Sequence, residues 1–466
     1  MSKNKVAEKK VLQDMCIISK NLIGVNPIPV NILLEITGQC NQKCSYCLAW
    51  KRRNKELSEN KILEFVDEIS KYPLINVALT GGEPSIKLDL LLQCYNLLHK
   101  RRINVSLITN GFMNDITRRR ILEANWDWLQ VSMDSPFMIE NDRVRGVDGA
   151  WVSEIHTIYG SVVANNNTYL KIIITPQNKH LIPIFIALGI ILGVSKIIFD
   201  YVAKWNENKL EVLDENESKK CIELLDKIYS KVKYLIDINY PTFVKEILTL
   251  NCKTSSGSVV VLSNGDMRVP YLPKTFGNII DSNFMDIWSK MYNWNSQDNI
   301  EKLIMQMDVS KNDVYQLEKE LLNKKEEIIS YTDKNKDNRS IDNDYISDDI
   351  IAVMKDLLKK DEYKQHVIPL IINQKYKINS INIRMLGNNL IVQVVHVEEG
   401  NSSNDRCYKL DSLQSKILNF CYNNYSIKEM LDDLGLTEEN IDSLINIILI
   451  IKSFLRKELI IHENIC

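Results

Sequence analysis

The stretch NILLEITGQCNQKCSYC, residues 31–47, runs from a β-branched apolar segment directly into a loop with cysteines at positions 40, 44 and 47. NILLEIT has the composition of a strand, so the three thiols stand just beyond a strand end. A structural zinc site takes four protein ligands, and a second CxxC pair would complete one here. The other cysteines, at 16, 94, 221, 252, 407, 421 and 466, form no such pair. An iron-sulfur cube can take three thiolates and leave one iron for another ligand. At this point a zinc loop, a redox loop and buried thiols remain alternatives.

Outward from this loop, residues 26–205 repeat one rhythm: a short β-rich run, turn residues, then a helical pattern. The strands expected are 31–37, 75–80, 104–109, 128–133, 169–175 and 195–201. Six such units predict an α/β fold of parallel strands with crossover helices, a partial (β/α)6 TIM-like barrel. In barrels of this kind chemistry sits on the loops after the strands. GQC follows the first strand, GGEP the second, NG the third, DSP the fourth and PQN the fifth.

Composition narrows the classes. The chain has 466 residues, 45 % hydrophobic and 25 % charged, with a formal charge of -2. That balance disfavours a basic nucleic-acid groove and gives no attraction to an anionic membrane. The start, MSKNKVAEKK, lacks the apolar core of a signal peptide, so a reducing cytoplasmic setting is expected. The longest apolar run, Leu181 to Val194, carries Pro183, Gly189 and Gly193 and is shorter than a membrane span. It is expected to be a buried helix feeding a strand.

Beyond residue 205 the rhythm changes. Asn264-Gly265, between β-rich runs, predicts a hairpin within a small α+β module at 206–300. Residues 301–375 read as a charged helical linker with a polar stretch at 332–349. Residues 376–466 give strand-like runs followed by three helix patterns, with an N-terminal extension, 1–25, at the other end of the chain.

The spacing C-x3-C-x2-C after a first barrel strand resembles the radical SAM superfamily. The resemblance implies that Cys40, Cys44 and Cys47 ligate a 4Fe-4S cluster whose open iron binds S-adenosylmethionine (SAM), with Tyr46 against the adenine end. It implies that Gly81, Gly82 and Glu83 of LTGGEP accept from the SAM amino group. Thr109 and Asn110 of ITNG would belong to the cofactor-binding set, and Ser132 and Asp134 of VSMDSP would lie near the ribose and methionine parts. Arg145 would pair with the SAM carboxylate, a task suited to a forked guanidinium. The implied activity is reductive cleavage of SAM to a 5'-deoxyadenosyl radical, which abstracts hydrogen from a substrate.

Residues 259–288 resemble the SPASM or twitch extension of peptide-modifying members of this family. Such extensions hold auxiliary clusters through several cysteines. Only Cys252 is in place, Pro270 and Tyr271 stand where another ligand is expected, and the next cysteine is Cys407. A full auxiliary cluster is therefore not expected. Residues 408–460 resemble a PqqD-like, winged-helix-like domain that binds leader peptides. The substrate implied is a ribosomally made precursor peptide held by residues 376–466, with a flavodoxin- or ferredoxin-type one-electron reductase as partner. The alternatives are a radical SAM enzyme acting on a nucleoside, sugar or amino acid, and a non-catalytic zinc-binding interaction protein.

Overall fold

Along the first strand Ile32, Leu34 and Ile36 are buried, whereas Asn31, Leu33 and Glu35 are half-buried. A period of two puts these sets on opposite faces, one under helices and one facing the concave side of the sheet. The computed structural model describes residues 29, 31–47, 55–201, 213–240, 258–269, 275–294, 348–378, 383–385, 391–394, 406–456 and 459–462.

Strands β1 (Asn31–Thr37), β2 (Asn76–Gly81), β3 (Asn104–Thr109), β4 (Leu129–Ser132), β5 (Thr168–Ile174) and β6 (Lys196–Tyr201) pair in parallel in chain order. Each lies within one residue, at either end, of the strand expected from the sequence. A further strand, β7 (Asp237–Asn239), extends the sheet parallel to β6. The crossovers carry α1 (Glu59–Ile69), α2 (Leu88–Lys100), α3 (Asp115–Leu122), α4 (Met138–Arg145), α5 (Ala150–Val163), α6 (Ile182–Leu192) and α7 (Glu215–Val232).

Local rules account for these helices. Ser58 caps α1 by accepting from the Lys61 amide, and Ile62, Phe65, Val66 and Ile69 recur at helical spacing as its buried face. Helix α6 is apolar on all sides because it is covered on all sides. It ends on Gly193, whose φ of 91° suits glycine, and feeds β6 as the sequence predicts.

The hairpin at Asn264-Gly265 forms, but it does not belong to a separate sheet. Strand β8 (Ser258–Val261) lies parallel to β1, with Asn31 opposite Ser258. Strands β9 (Asp266–Arg268) and β10 (Thr275–Asn278) then add antiparallel, making one ten-stranded sheet. Helix α8 (Phe284–Trp294) locks this edge down: the Phe284 ring meets Phe65 of α1 at 5.6 Å. Cys252, Pro270 and Tyr271 lie outside the described residues, as do residues 1–25 and 301–347.

Residues 348–372, grouped by composition with the charged linker, form α9 (Asp348–Leu358), α10 (Asp361–His366) and α11 (Ile368–Ile372). Helix α9 packs on α6, and Ile350, Met354, Leu357, Leu358 and Tyr363 are buried. Farther on, β11 (Tyr376–Ile378) pairs antiparallel with β15 (Ile460–His462). Strands β12 (Ile383–Met385), β13 (Ile391–Val394) and β14 (Arg406–Lys409) make a second small sheet. The three helix patterns of the tail appear as α12 (Ser412–Tyr422), α13 (Ile427–Asp433) and α14 (Ile441–Arg456). No helix among the described residues is long and apolar enough to cross a membrane.

Leu358→Ala should lower unfolding free energy by about 2–5 kcal/mol, the range for emptying a packed site. Chemical denaturation would measure it, and an unchanged midpoint would mean that α9 is a solvated linker.

Candidate active site

The cysteine loop is held from two sides by backbone. On one side the end of β2 comes so close to the end of β1 that side chains do not fit. A Cβ on Gly81 would stand 2.3 Å from the Thr37 carbonyl oxygen, and one on Gly82 would stand 2.1 Å from that of Gln39. Without side chains, the Gly82 amide donates to Thr37 O at 2.8 Å and the Glu83 amide to Gln39 O at 2.7 Å. On the other side the amides of Lys43 and Ser45 donate to Arg145 O and Val144 O, both at 3.0 Å. Gly146, with a φ of 68°, ends α4 beneath the loop, where a Cβ would stand 2.8 Å from Lys43 O.

The polar side chains at the strand ends are brought to this loop. Glu83 is fully buried, and its carboxylate accepts from the Asn110 amide at 2.7 Å, the Thr109 hydroxyl at 2.8 Å and the Ser85 amide at 3.0 Å. It therefore ties the β2 end to the β3 end. Burial raises its pKa, and these donors oppose the rise. Asn110 reaches back to the loop, donating to Asn41 Oδ1 at 2.9 Å with its Nδ2 3.7 Å from Cys40 Sγ.

Arg145 lies buried between two acids. Its Nε is 2.9 Å from Asp134 Oδ2 and 3.5 Å from Glu154 Oε1, and its Nη1 is 3.8 Å from Cys44 Sγ. The Asp134 contact is close enough for ion pairing but lies off the hydrogen-bond direction, and Nη2 is buried with no acceptor. Tyr46 donates to Asp134 at 3.0 Å, so its ring stands by the same carboxylate. Ser132 is half-buried on the concave face, level with Lys171 of β5.

Glu154 is a site residue that the motifs do not flag. It sits on α5 in the apolar run AWVSEIHTIYG, accepts from Asn141 Nδ2 at 2.8 Å and is fully buried. Burial pushes its carboxyl up to about 8, with Arg145 opposing, so one cation serves two buried carboxyl groups. A glutamate on the buried face of an apolar helix was the available signal. The concave face also carries an ion pair unseen in the motifs, Lys171 to Asp200 at 2.6 Å.

The thiols are unbridged: Cys44 is buried, and Cys40 and Cys47 are half-buried. Burial pushes the Cys44 thiol up to about 12, with Arg145 opposing, so a metal centre would have to displace its proton. Among the described residues no three His, Cys, Asp or Glu side chains gather as ligands of one ion. In a cubane cluster each thiolate takes its own iron, so such convergence is not required. The donor set fits an iron-sulfur cluster with an anionic ligand beside it: three thiols in one anchored loop, and an acceptorless guanidinium nitrogen next to Cys44.

Residues 34–175 match the model of the Radical SAM superfamily. Over 206 residues the chain is 26 % identical to pre-heme d1 synthase of Dinoroseobacter shibae, covering 43 % of this chain and 50 % of that one. Over 172 residues it is 24 % identical to PqqA peptide cyclase of Granulibacter bethesdensis, covering 36 % and 46 %. The chain thus spans about half the length of the curated relatives it matches. A solved structure of Streptococcus suis SuiB bound to precursor peptide SuiA has a similar fold, with a TM-score of 0.50 and 14 % identity over 62 % of this chain and 70 % of that one.

Gly82→Ala should disrupt the loop anchor, because the new Cβ would meet backbone rather than a movable side chain. The expected result is loss of iron binding with little change in far-UV circular dichroism. Wild-type iron content in this variant would show that the close approach is not needed.

Proposed function

We propose that this chain is a radical SAM enzyme that modifies a ribosomally made precursor peptide. The observation that carries the assignment is the anchored three-thiol loop with the buried Arg145 at its side. Cys40, Cys44 and Cys47 would hold a 4Fe-4S cluster, with SAM on the remaining iron. When bound, these cofactors supply hydrogen abstraction by a radical.

The chain's own residues prepare the place. Gly81 and Gly82 let two strand ends meet, and Glu83 fixes Thr109 and Asn110 against the loop. Three donors already meet the Glu83 carboxylate, so backbone carbonyls of this turn are better placed than its side chain to accept from the SAM amino group. Arg145, with Nη2 lacking an acceptor, is the natural partner of the SAM carboxylate. Tyr46, Ser132 and Asp134 complete the polar wall toward the adenine and ribose ends.

The peptide substrate is supported by relatives named as PqqA peptide cyclases and by the fold shared with a structure that holds a precursor peptide. Residues 376–466 would act as a PqqD-like recognition domain, taking the leader by strand addition. Residues 206–300 would be a degenerate SPASM or twitch extension whose strands stay on the barrel edge without a full auxiliary cluster. A flavodoxin- or ferredoxin-type protein would supply the electron in the cytoplasm. The small-molecule reading keeps one support, the similarity to a pre-heme d1 synthase.

Anaerobic reconstitution should give about four irons per chain, and the Cys40, Cys44, Cys47 to Ala variant should give none. About eight in the wild type would reveal a second cluster. With SAM, a reductant and a precursor peptide encoded beside this chain, the reconstituted wild type should change the peptide's mass and Cys44→Ala should not. Cleavage of SAM without any change in the peptide would turn the assignment toward a small molecule.

A further inference from the structure

Three polar side chains that carry no assigned role meet beneath the cysteine loop. Gln42, Asn141 and Glu154 are each no more than 1 % exposed, and they stand on three different segments: the loop itself, α4 and α5. Helix α5 is pinned to the end of β3, where the Ser153 and Thr157 hydroxyls both donate to the Gly111 carbonyl at 2.9 Å. That anchorage fixes where Glu154 enters.

The orientation of each group follows from its neighbours. Asn141 Oδ1 accepts from the amides of Asp134 at 3.0 Å and Ser135 at 3.1 Å, so its Nδ2 is left to donate to Glu154 Oε2 at 2.8 Å. Gln42 Oε1 lies 3.8 Å from Cys44 Sγ, and its Nε2 donates to Glu154 Oε1 at 3.4 Å. The main-chain amide of Gln42 is 3.5 Å from Cys40 Sγ. One carboxyl group thus receives the turn that carries Asp134 on one oxygen and the middle of the cysteine loop on the other. Arg145 Nε is also 3.5 Å from that second oxygen. Such a buried network is worth most when complete, because loss of one member strands the others away from water.

We propose that Glu154 is a positioning residue that, through Gln42 and Asn141, holds the cysteine loop and the Asp134 turn in a fixed relation before any cluster is present. Backbone bonds hold the loop at residues 37, 39, 43 and 45, and the Gln42–Glu154 link adds the restraint between Cys40 and Cys44. That this shape serves a cluster rests on the radical SAM reading. The restraint itself does not.

Glu154→Gln tests the role because it keeps the size of the side chain. With Asn141 committed to two amides, the new carboxamide turns its oxygen to Asn141 and its NH2 to Gln42 Nε2, donor against donor. Gln42 relieves that clash only by flipping, which takes its Oε1 away from Cys44.

In the full-length protein before reconstitution, kept reduced and anaerobic, iodoacetamide labelling read by peptide mapping should be severalfold faster at Cys44 in Glu154→Gln than in the wild type. Cys94, fully buried in α2, should label equally slowly in both and reports that the fold is intact. Gln42→Leu should raise the Cys44 rate to a similar extent, and the double variant should go no further, since both changes break one link. On reconstitution Glu154→Gln should take up iron severalfold more slowly than the wild type. An unchanged Cys44 rate in Glu154→Gln, a matching rise at Cys94, additive effects in the double variant or equal iron uptake would overturn the positioning role. A wild type that takes up no iron would instead overturn the radical SAM reading, and with it the purpose given to the restraint.

Discussion

The structure turns on one contact between main chains, where the ends of β1 and β2 meet through Gly81 and Gly82. Two amide-to-carbonyl bonds close the gap, and neither forms if a Cβ is present on the second strand. The contact fixes the point at which the chain leaves β1, and so where Cys40 begins its loop. Glu83 passes that position to β3 through Thr109 and Asn110, and Asn110 returns it to the loop beside Cys40. Removal of any one of these links leaves a buried donor or acceptor unpaired, which costs more than the bond itself contributes.

The other wall is electrostatic. Arg145 lies among Asp134, Glu154 and Cys44 with almost no exposure, an arrangement that stands only because opposite charge and hydrogen bonds offset the loss of water. The Arg145 and Val144 carbonyls bind the loop backbone while the Arg145 side chain faces the Cys44 sulfur, so one helix end supplies both support and charge. Pro136, two residues after Asp134 in the same strand-end loop, accepts through its carbonyl from Trp151 at 3.0 Å and from Tyr363 at 2.8 Å. Through Tyr363 the helices that follow residue 348 bear on the loop that carries Asp134. The C-terminal part of the chain is therefore packed into the support of the site.

Much of the fold was legible because parallel strands and crossover helices repeat over short distances. β-branched runs and the glycine turns mark their ends locally, and so does the Asn264-Gly265 hairpin. Where that hairpin goes was not legible, since pairing of β8 with β1 joins residues more than two hundred positions apart and leaves no local pattern. The packing of helices α9 to α11 was hidden for a related reason. Their charged positions match a linker in composition, and their apolar face has meaning only against α6.

For the site, the sequence by itself determined the three thiols, the glycine pair, and the order in which Glu83, Asn110 and Asp134 arrive at strand ends, because side-chain chemistry and strand periodicity are local properties. Only the tertiary structure decided what each polar group meets: that Glu83 is occupied by three donors, that Tyr46 and Arg145 share Asp134, and that Glu154 and the Lys171–Asp200 pair belong beside them. Burial and pairing are properties of the space between elements. They exist only once helix and sheet have closed over them.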